Sequence, residues 1–377
     1  MYLTKSEEKT LAGEEGRIPQ KAIEILTALG KIYRADKLIP IKSAQVAGVS
    51  YKNIGEAGLE FIRDWSEAKV KVRTTLNPAG ADMALEDLVP QDFYDKQKQV
   101  IDAYSALGIE ATCTCTPYYV GNKPSKGDHI AWSESSAVVY ANSVLGAYTN
   151  REGGPSALAA AIIGKTPNYG YHLDKNREPS IQISVATRLM DYAEYSALGY
   201  WIGQETEGLP AIDFGQKPKN ENLRALSSGL GCGDKAMFAT GEFDLETVEF
   251  TEDELIGVLD KFTAKDYDLV VLGCPHLNIG EIARVARTVK NKKVRVPLWL
   301  FTSRKVKKDA FNKGYVDILN RAGASLIADT CMVVMPLQSK SILTNSAKAA
   351  HYLSGQGKRT QLEYTEDCIK YALGGKK

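Results

Sequence analysis

The sequence lacks the features that mark several large classes of protein. No stretch approaches the roughly 18 to 20 apolar residues that a membrane-spanning helix needs. Residues 1–16 contain no apolar core, so we expect no signal peptide and a cytoplasmic chain. Charge of one sign is also lacking: 47 Lys and Arg balance 46 Asp and Glu, which argues against nucleic acid or a membrane surface as the partner. A local basic pocket for a small anionic substrate stays compatible with this balance.

Histidines and paired cysteine motifs are scarce as well. The 377 residues include four histidines, and no two of the six cysteines have the CxxC spacing typical of zinc sites. The chain also has no P-loop, no Gly-x-Ser-x-Gly nucleophile elbow and no His-Glu-x-x-His motif. In the cytoplasm thiols stay reduced. Each cysteine is therefore a buried apolar residue, a metal ligand or a reactive thiol.

The last third of the chain gives the clearest indication of a fold. Apolar runs at 268–272, 296–301 and 325–328 alternate with helical patterns at 279–289 and 306–322. This alternation predicts two βαβ units, that is, an α/β protein with a parallel sheet in its C-terminal third. Earlier in the chain, the pattern predicts a strand at 70–76 and a second strand-like segment at 109–114.

Two cysteines follow strands of this predicted sheet. Cys274 comes two residues after the first strand and Cys331 three residues after the third. Because ligands bind beyond the carboxyl ends of parallel strands, both thiols are expected at one sheet edge. Structural packing is an equally good interpretation of each. With so few histidines, three thiolates would suit an iron–sulfur cluster and leave one iron open to a substrate hydroxyl.

The other cysteines are less informative. Cys113 and Cys115 form a Cys-Thr-Cys pair, which by itself is a weak indication of a metal site. Cys232 lies in a glycine-rich segment that resembles a phosphate loop only superficially, and Cys368 is interpreted as a packing residue.

Several polar segments have both a functional and a structural interpretation. Gly48-Val49-Ser50, Asn77-Pro78 and Ser354-Gly355 offer backbone N–H groups to carboxylate or phosphate oxygens, or are simply surface turns. Glu134, between serines, is an acid or base group or part of a helix cap. Arg151 is a carboxylate clamp or a solvated charge.

Taken together and in order, five segments resemble the catalytic core of the aconitase X family. They are Cys115-Thr116-Pro117-Tyr118, Trp132-Ser133-Glu134-Ser135-Ser136, Thr149-Asn150-Arg151-Glu152-Gly153-Gly154-Pro155-Ser156, Gly273-Cys274-Pro275-His276 and Asp329-Thr330-Cys331. The resemblance runs over the whole chain, 1–377. It implies an aconitase-like core of several α/β lobes, which we place at 1–235 and 236–377.

The resemblance also implies a cofactor and a set of contacts. The cofactor is a 4Fe–4S cluster, which air exposure degrades to 3Fe–4S or removes. Its implied ligands are Cys115, Cys274 and Cys331. The implied substrate contacts are Gly48, Val49, Ser50, Asn77, Pro78, Glu134, Ser135, Ser354 and Gly355, with Arg151 as the candidate carboxylate clamp.

The family has two forms with different substrates. A longer single chain includes a small swivelling domain and dehydrates cis-3-hydroxy-L-proline. A split form dehydrates (R)-5-phosphomevalonate to trans-anhydromevalonate 5-phosphate, in a modified mevalonate pathway of isoprenoid synthesis. This chain ends soon after the core motifs, so the resemblance implies the large subunit of the split form.

The split form implies a hydro-lyase that is active as a heterodimer. The swivelling domain, absent from this chain, and the catalytic base are then expected on a separate small subunit. Two alternatives belong to other classes: a non-catalytic iron–sulfur protein whose cluster only braces the fold, and a cluster-free protein that binds a small molecule.

Overall fold

Four sheets organise the chain in the computed structural model, which describes residues 1–375. The chain divides into two units, the first Met1–Glu178 and the second beginning at Pro179. The lobe boundary expected after residue 235 therefore falls inside the second unit.

The first unit combines helices with short strands. Its helices are α1 (Lys5–Leu11), α2 (Arg17–Ile32), α3 (Tyr51–Trp65), α4 (Gln91–Ala106), α5 (Ser135–Tyr140) and α6 (Gly154–Ile163). Its strands are β1 (Leu38–Pro40), β2 (Ser43–Val46), β3 (Arg73–Leu76), β4 (Ala131–Trp132) and β5 (Lys165–Pro167). Strands β2, β3 and β4 form a parallel sheet in the order β3-β2-β4, and β1 pairs antiparallel with β5.

Helix α6 forms the centre of the first core. Its Gly-Pro start suits a first turn, and it ends where Gly164 adopts a left-handed φ of 76°. Every residue from 156 to 163 is buried, as expected for an alanine-rich helix that is apolar on all sides. Helix α2 packs on it with the apolar face that includes Ile23 and Leu26.

The two strands predicted in this unit had different outcomes. The prediction at 70–76 is confirmed for 73–76, which form β3. The strand-like interpretation of 109–114 is wrong: one bridge joins Glu110 to Thr75, and the chain then leaves the sheet. Cys113 has a left-handed φ of 43°, a conformation that a continuing strand does not use.

The second unit contains two parallel sheets. Its helices are α7 (Tyr192–Glu205), α8 (Asn220–Leu230), α9 (Glu252–Asp260), α10 (Ile279–Val289), α11 (Arg304–Asn312), α12 (Tyr315–Ala322), α13 (Ala347–Gly355) and α14 (Thr365–Ala372). Its strands are β6 (Ile181–Val185), β7 (Pro210–Asp213), β8 (Ala239–Thr240), β9 (Thr247–Phe250), β10 (Leu269–Leu272), β11 (Leu298–Thr302), β12 (Ser325–Ala328), β13 (Ser341–Thr344) and β14 (Arg359–Leu362). The sheets have the orders β8-β7-β6-β9 and β12-β11-β10-β13-β14.

The α/β prediction for the last third is confirmed. Strands β10, β11 and β12 are parallel neighbours joined through α10 and through α11 with α12. The expected helix at 306–322 is two helices, because Gly314 adopts a left-handed φ of 75° between them. Strands β13 and β14 extend the sheet beyond β10. The side of the sheet that carries α10 and α14 is filled by apolar residues such as Ile282, Leu300 and Ile369.

None of the helices among residues 1–375 combines the length and the apolar character required to cross a bilayer.

Candidate active site

The parallel three-stranded sheet of the first unit gathers most of the expected substrate contacts. Parallel strands have their carboxyl ends at a common edge, and a ligand is expected in the crevice beyond that edge. The loop after β2 carries Gly48, Val49 and Ser50, the loop after β3 carries Asn77 and Pro78, and the loop after β4 carries Glu134 and Ser135. The structure therefore brings seven of the nine predicted contacts to one sheet edge.

A buried amide side chain on α4 holds two of these loops together. Gln97 donates from Nε2 to the Val49 carbonyl at 2.9 Å. Its Oε1 accepts from the backbone N–H of Tyr51 at 2.9 Å and of Gly80 at 2.8 Å. Gly48 has a left-handed φ of 78°, so the chain turns sharply into the start of α3. The loops after β2 and β3 thus form one hydrogen-bonded platform.

The amide of Asn77 is a candidate ligand contact on this platform. Its backbone N–H donates to the Val46 carbonyl at 3.0 Å, which fixes the residue at the end of β3. Its side-chain Oδ1 is buried and has no hydrogen-bond partner among residues 1–375. A buried amide oxygen without a partner costs free energy. It is therefore well suited to accept a hydrogen bond from a bound hydroxyl.

Cys115 lies at the same edge as these loops. The Thr114 N–H donates to the carbonyl of Leu76, at the end of β3, at 2.9 Å. Gln45 of β2 donates from Nε2 to the Thr114 carbonyl at 3.0 Å. Both bonds hold the residue before Cys115, whose side chain is buried. Cys113 lies two residues earlier and is also buried.

The two charged residues predicted at this edge have different environments. Glu134 is buried, and its Oε2 accepts from the Ala137 N–H and the Ser136 hydroxyl, each at 2.6 Å. Those contacts are a helix cap, as the structural interpretation of Glu134 predicts. Arg151 forms a backbone bridge with Trp132, which ends β4, and its side chain is exposed. Arg151 therefore lies beside the end of β4, and its exposed side chain is compatible with both the clamp and the solvated charge.

Glu152 is a buried acid to which the sequence analysis assigned no role. It accepts a hydrogen bond from the Thr166 hydroxyl at 3.1 Å and another from the Ser156 hydroxyl. Burial raises the pKa of this carboxyl, and the two hydroxyl bonds offset only part of that effect. No basic side chain within residues 1–375 forms an ion pair with it. The sequence motif that includes Glu152 did not indicate that its carboxyl lacks an ion pair within these residues.

The five-stranded sheet of the second unit carries the other two predicted iron ligands. Cys274 follows β10 and Cys331 follows β12, with β11 between these strands. The thiols therefore follow strands that lie two spacings apart, roughly 10 Å. Gly273 is required before Cys274, because its φ is 111° and an added Cβ would lie 2.4 Å from the Phe301 carbonyl oxygen.

Side chains tie the two thiol loops together and fix their shapes. His276 places Nε2 2.9 Å from the Thr330 carbonyl oxygen, directly before Cys331. Asp329 is fully buried with a left-handed φ of 63°, and Arg304 donates to its Oδ2 at 2.6 Å and 3.0 Å. Cys274 is buried, and Cys331 is partly exposed.

Ser354 and Gly355 do not lie at the edge that carries the thiols. Helix α13 begins after β13 at the carboxyl edge and ends at Gly355, close to the start of β14. Ser354 is exposed, and its hydroxyl lies 2.6 Å from that of Thr360. The polar turn interpreted from the sequence at Ser354-Gly355 therefore follows a helix, α13, and their role as substrate contacts stays a prediction.

The start of α13 offers polar residues that the sequence analysis missed. Asn345 and Ser346 follow β13, the neighbour of β10, at the carboxyl edge. Asn345 is buried, and its Oδ1 has no hydrogen-bond partner in the described chain. Lys348, one turn further, is also buried. The motif Asn-Ser after an apolar run was the signal that could have identified this loop.

The cysteines outside the predicted ligand set have local roles. Cys232 lies just beyond α8 and donates from Sγ to the Ser228 carbonyl at 3.6 Å. Cys368 of α14 is fully buried in the apolar core, as predicted, and burial raises the pKa of its thiol well above the ordinary value. All six cysteines are free thiols.

The donor set can be tested against an iron–sulfur cluster within each unit. Nowhere in residues 1–375 do three His, Cys, Asp or Glu side chains lie close enough together to hold a metal ion. Cys115 belongs to the first unit, and the other two thiols belong to the second. In the second unit, the Thr330 hydroxyl is buried beside Cys331 without a partner among the described residues, where it can donate to a cluster sulfur. The two-thiol edge therefore fits such a cluster.

Comparison with known proteins agrees with the family resemblance. A family model for the aconitase X first domain matches residues 1–175, and one for the aconitase X third domain matches residues 267–374. The chain belongs to the aconitase X family. The solved structure of aconitase X from Thermococcus kodakaraensis, in its holo form, superposes with a TM-score of 0.93 at 46% identity and covers 99% of this chain and 100% of that one. This match confirms the α/β fold predicted for the core.

Curated relatives in this family are named as dehydratases. The phosphomevalonate dehydratase large subunit of Thermococcus kodakarensis is 47% identical over 99% of this chain and 100% of its own length. The protein of the same name from Methanocaldococcus jannaschii is 44% identical over 94% of this chain and 95% of its own. The cis-3-hydroxy-L-proline dehydratase of Pseudomonas aeruginosa is 32% identical over 97% of this chain, which spans 69% of that protein.

Proposed function

We propose that this aconitase X chain is the large subunit of a phosphomevalonate dehydratase. The enzyme is a hydro-lyase that converts (R)-5-phosphomevalonate to trans-anhydromevalonate 5-phosphate in isoprenoid synthesis. The observation that carries the proposal is the difference among relatives. Four archaeal large subunits are 44–47% identical to this chain and a fifth is 35% identical, whereas the hydroxyproline dehydratases are 31–32% identical. This chain spans 94% or more of each large subunit but 67–69% of the hydroxyproline dehydratases.

The proposed cofactor is a 4Fe–4S cluster held by Cys115, Cys274 and Cys331. When bound by three thiolates, such a cluster supplies a Lewis acid at the iron without a protein ligand, which makes a hydroxyl a better leaving group. The support within the chain is the position of each thiol. Cys115 lies at the carboxyl edge of one parallel sheet, and Cys274 and Cys331 lie at the carboxyl edge of another.

We propose that the loops of the first unit hold the substrate's anionic groups. The turn at Gly48 leads into α3, and backbone N–H groups at a helix start favour phosphate or carboxylate oxygens. Pro78 and Ser135 border the same edge. Asn77 contributes a buried amide oxygen that needs a donor, and a substrate hydroxyl is such a donor. The exposed guanidinium of Arg151 is the proposed carboxylate clamp.

The second unit is proposed to supply further contacts from the start of α13. Asn345 and Lys348 are proposed for this role because they lie beside the strand that carries Cys274, whereas the predicted contacts Ser354 and Gly355 lie at the other end of α13. We assign no general base within this chain. Glu134, the carboxylate at the substrate edge, is engaged in capping α5 through Oε2.

A small subunit is the proposed partner, in a cytoplasmic heterodimer. The support is that full-length relatives are named large subunits and that they align with 94% or more of this chain. Six free thiols agree with a reducing compartment. The active site of the proposed enzyme is then completed by a residue of the partner.

Anaerobic co-expression with a candidate small subunit tests this function. The purified complex is assayed for loss of water from (R)-5-phosphomevalonate, and cis-3-hydroxy-L-proline serves as the competing substrate. We expect turnover of the phosphorylated substrate by the complex, and cluster binding with little turnover by the large subunit alone. Turnover of hydroxyproline alone, or full activity of the isolated chain, would contradict the proposal.

A further inference from the structure

We propose that His276 is a positioning residue that sets the spacing of the two thiol loops in the second unit. This inference rests on the proposed iron–sulfur function, because the spacing of the two loops matters only if Cys274 and Cys331 bind one cluster. His276 follows Cys274 by two residues and contacts the residue directly before Cys331. One side chain therefore connects the two predicted ligands.

The direction of the hydrogen bond defines the form of the imidazole. A carbonyl oxygen accepts and cannot donate, so Nε2 must carry the hydrogen in the 2.9 Å contact with Thr330. That nitrogen is directed at the backbone and is not available as an iron ligand. The contact therefore assigns His276 a role in holding the loop rather than in binding the metal through Nε2.

The bond crosses a strand that otherwise separates the loops. On one side, the loop after β10 is fixed to β11, because Leu277 donates its N–H to Phe301 at 2.9 Å and accepts from Thr302 Oγ1 at 2.7 Å. On the other side, Asp329 turns the chain through a left-handed residue toward Cys331. The His276 contact joins these two halves directly.

Burial makes this contact costly to remove. His276 and Thr330 are both fully buried, and the Thr330 hydroxyl already has no partner within residues 1–375. A side chain without a donor at position 276 would leave the Thr330 carbonyl unsatisfied as well. The segment beside Cys331 would then shift to find a partner, and the thiol would move with it.

The test compares two substitutions at this position. His276→Ala removes the donor, whereas His276→Gln keeps an N–H donor at a similar reach. His351→Ala is the control, since His351 is partly exposed and contacts Tyr200 in the same unit. Each variant is purified anaerobically and reconstituted with iron and sulfide. The measurements are iron per chain, the rate of iron loss to a chelator and the EPR spectrum after mild oxidation.

We expect His276→Ala to lose iron to the chelator about 10- to 100-fold faster than the unaltered chain, as is typical when a group supporting a metal ligand is removed. His276→Gln and His351→Ala should lose iron at the original rate. A retained rate in His276→Ala would overturn the inference. If that variant fails to fold, His276→Gln decides, because loss of the cluster with the donor retained would also overturn it.

A further variant, Cys274→Ala, measured in the same way, distinguishes a failure of this inference from a failure of the proposed function. Cys274→Ala must abolish the cluster if the function is correct. If Cys274→Ala keeps its cluster, the ligand assignment fails, and with it the basis of the role of His276. If Cys274→Ala loses the cluster and His276→Ala keeps it at the original stability, only the positioning role fails.

Discussion

The loops at the carboxyl edge of the first unit are held differently from those of the second. In the first unit, buried amide side chains of Gln45 and Gln97 bind backbone groups of short, polar loops. In the second unit, the loops follow strands that are continuously apolar, and charged or aromatic groups such as Arg304 and His276 fix them. In the proposed function, the first edge recognises polar groups of the substrate and the second keeps two thiols in place.

The two units also contain buried acids in different environments. The guanidinium of Arg224, on α8, is fully buried and contacts both oxygens of Glu281, on α10, at 2.6 Å. In the first unit, the buried Glu152 is bonded only to hydroxyl groups. Glu281 is thus neutralised by an ion pair, whereas burial favours the protonated form of Glu152. Another buried acid of the first unit, Glu7, is paired with Lys165 at 2.6 Å.

The largest expected effect is loss of the cluster when any predicted ligand is replaced. Cys115→Ser, Cys274→Ser and Cys331→Ser should each abolish cluster binding, measured as iron and sulfide per chain after anaerobic reconstitution. Each unit has its own control: Cys113→Ser in the first and Cys368→Ser in the second should keep the cluster. A cluster retained without Cys115 would show that Cys115 is not one of its ligands.

The next largest expected effect is the loss of stability when the buried ion pair between Arg224 and Glu281 in the second unit is broken. Arg224→Met leaves the Glu281 carboxylate buried without its cation, which is expected to lower the free energy of unfolding by about 3–5 kcal/mol. Arg224→Met combined with Glu281→Gln removes both charges and should restore much of this loss. Urea denaturation measures both variants. Equal losses in the single and double variants would show that the charges are not coupled.

Substitution of two glycines in crowded positions, one in each unit, allows the backbone packing of the units to be compared. Gly273→Ala places a Cβ 2.4 Å from a carbonyl oxygen at a left-handed φ of 111°, and Gly154→Ala places one 2.6 Å from the Ala47 carbonyl. We expect losses of about 2–4 kcal/mol for the first and about 1–3 kcal/mol for the second. Gly257→Ala is the control, because nothing lies within 4 Å of its added Cβ. Thermal unfolding of all three variants provides the comparison.

The smallest expected effect is a change in the pH dependence of folding stability, which Glu152 of the first unit causes. Burial raises the pKa of Glu152 in the folded chain above its unfolded value, so the folded state binds more protons above that value. The contribution of Glu152 to the free energy of unfolding is complete below the pKa that Glu152 has in the unfolded chain. This contribution is lost as the pH rises through the higher pKa of the folded chain. Glu152→Gln should therefore gain stability relative to the unaltered chain as the pH rises above 4.5, the ordinary pKa of a glutamate. An unchanged difference above that pH would show that Glu152 stays ionised in the folded protein.

The sequence alone predicted the second unit's sheet better than the first unit's. The run Leu-Val-Val-Leu of β10 is buried throughout, and such runs are recognisable without a partner strand. Strands β2 and β4 have four and two residues and include Ser43 and Gln45, so their periodicity carries little information. The sheet edge that gathers the substrate loops is visible only once the pairing of β2 with β3 and β4 is known.

The candidate site shows the same limit. The positions of Cys274 and Cys331 at strand ends followed from the strand pattern, and Cys115 followed only from the family resemblance. The contact of His276 with Thr330 spans 54 residues and could not be read from local sequence. The start of α13 depends on the serine cap at Ser346, whose hydroxyl accepts from the Ala349 N–H, and the sequence pattern did not indicate this loop.

The most direct test of the account is the count of labile iron in the anaerobically purified chain. Iron and acid-labile sulfide are measured before and after mild oxidation, with EPR spectra at each stage. A three-thiol site predicts a 4Fe–4S cluster that loses one iron and gives a 3Fe–4S signal. A cluster that keeps all of its iron would indicate a fourth protein ligand, and a chain that binds no cluster would contradict the account altogether.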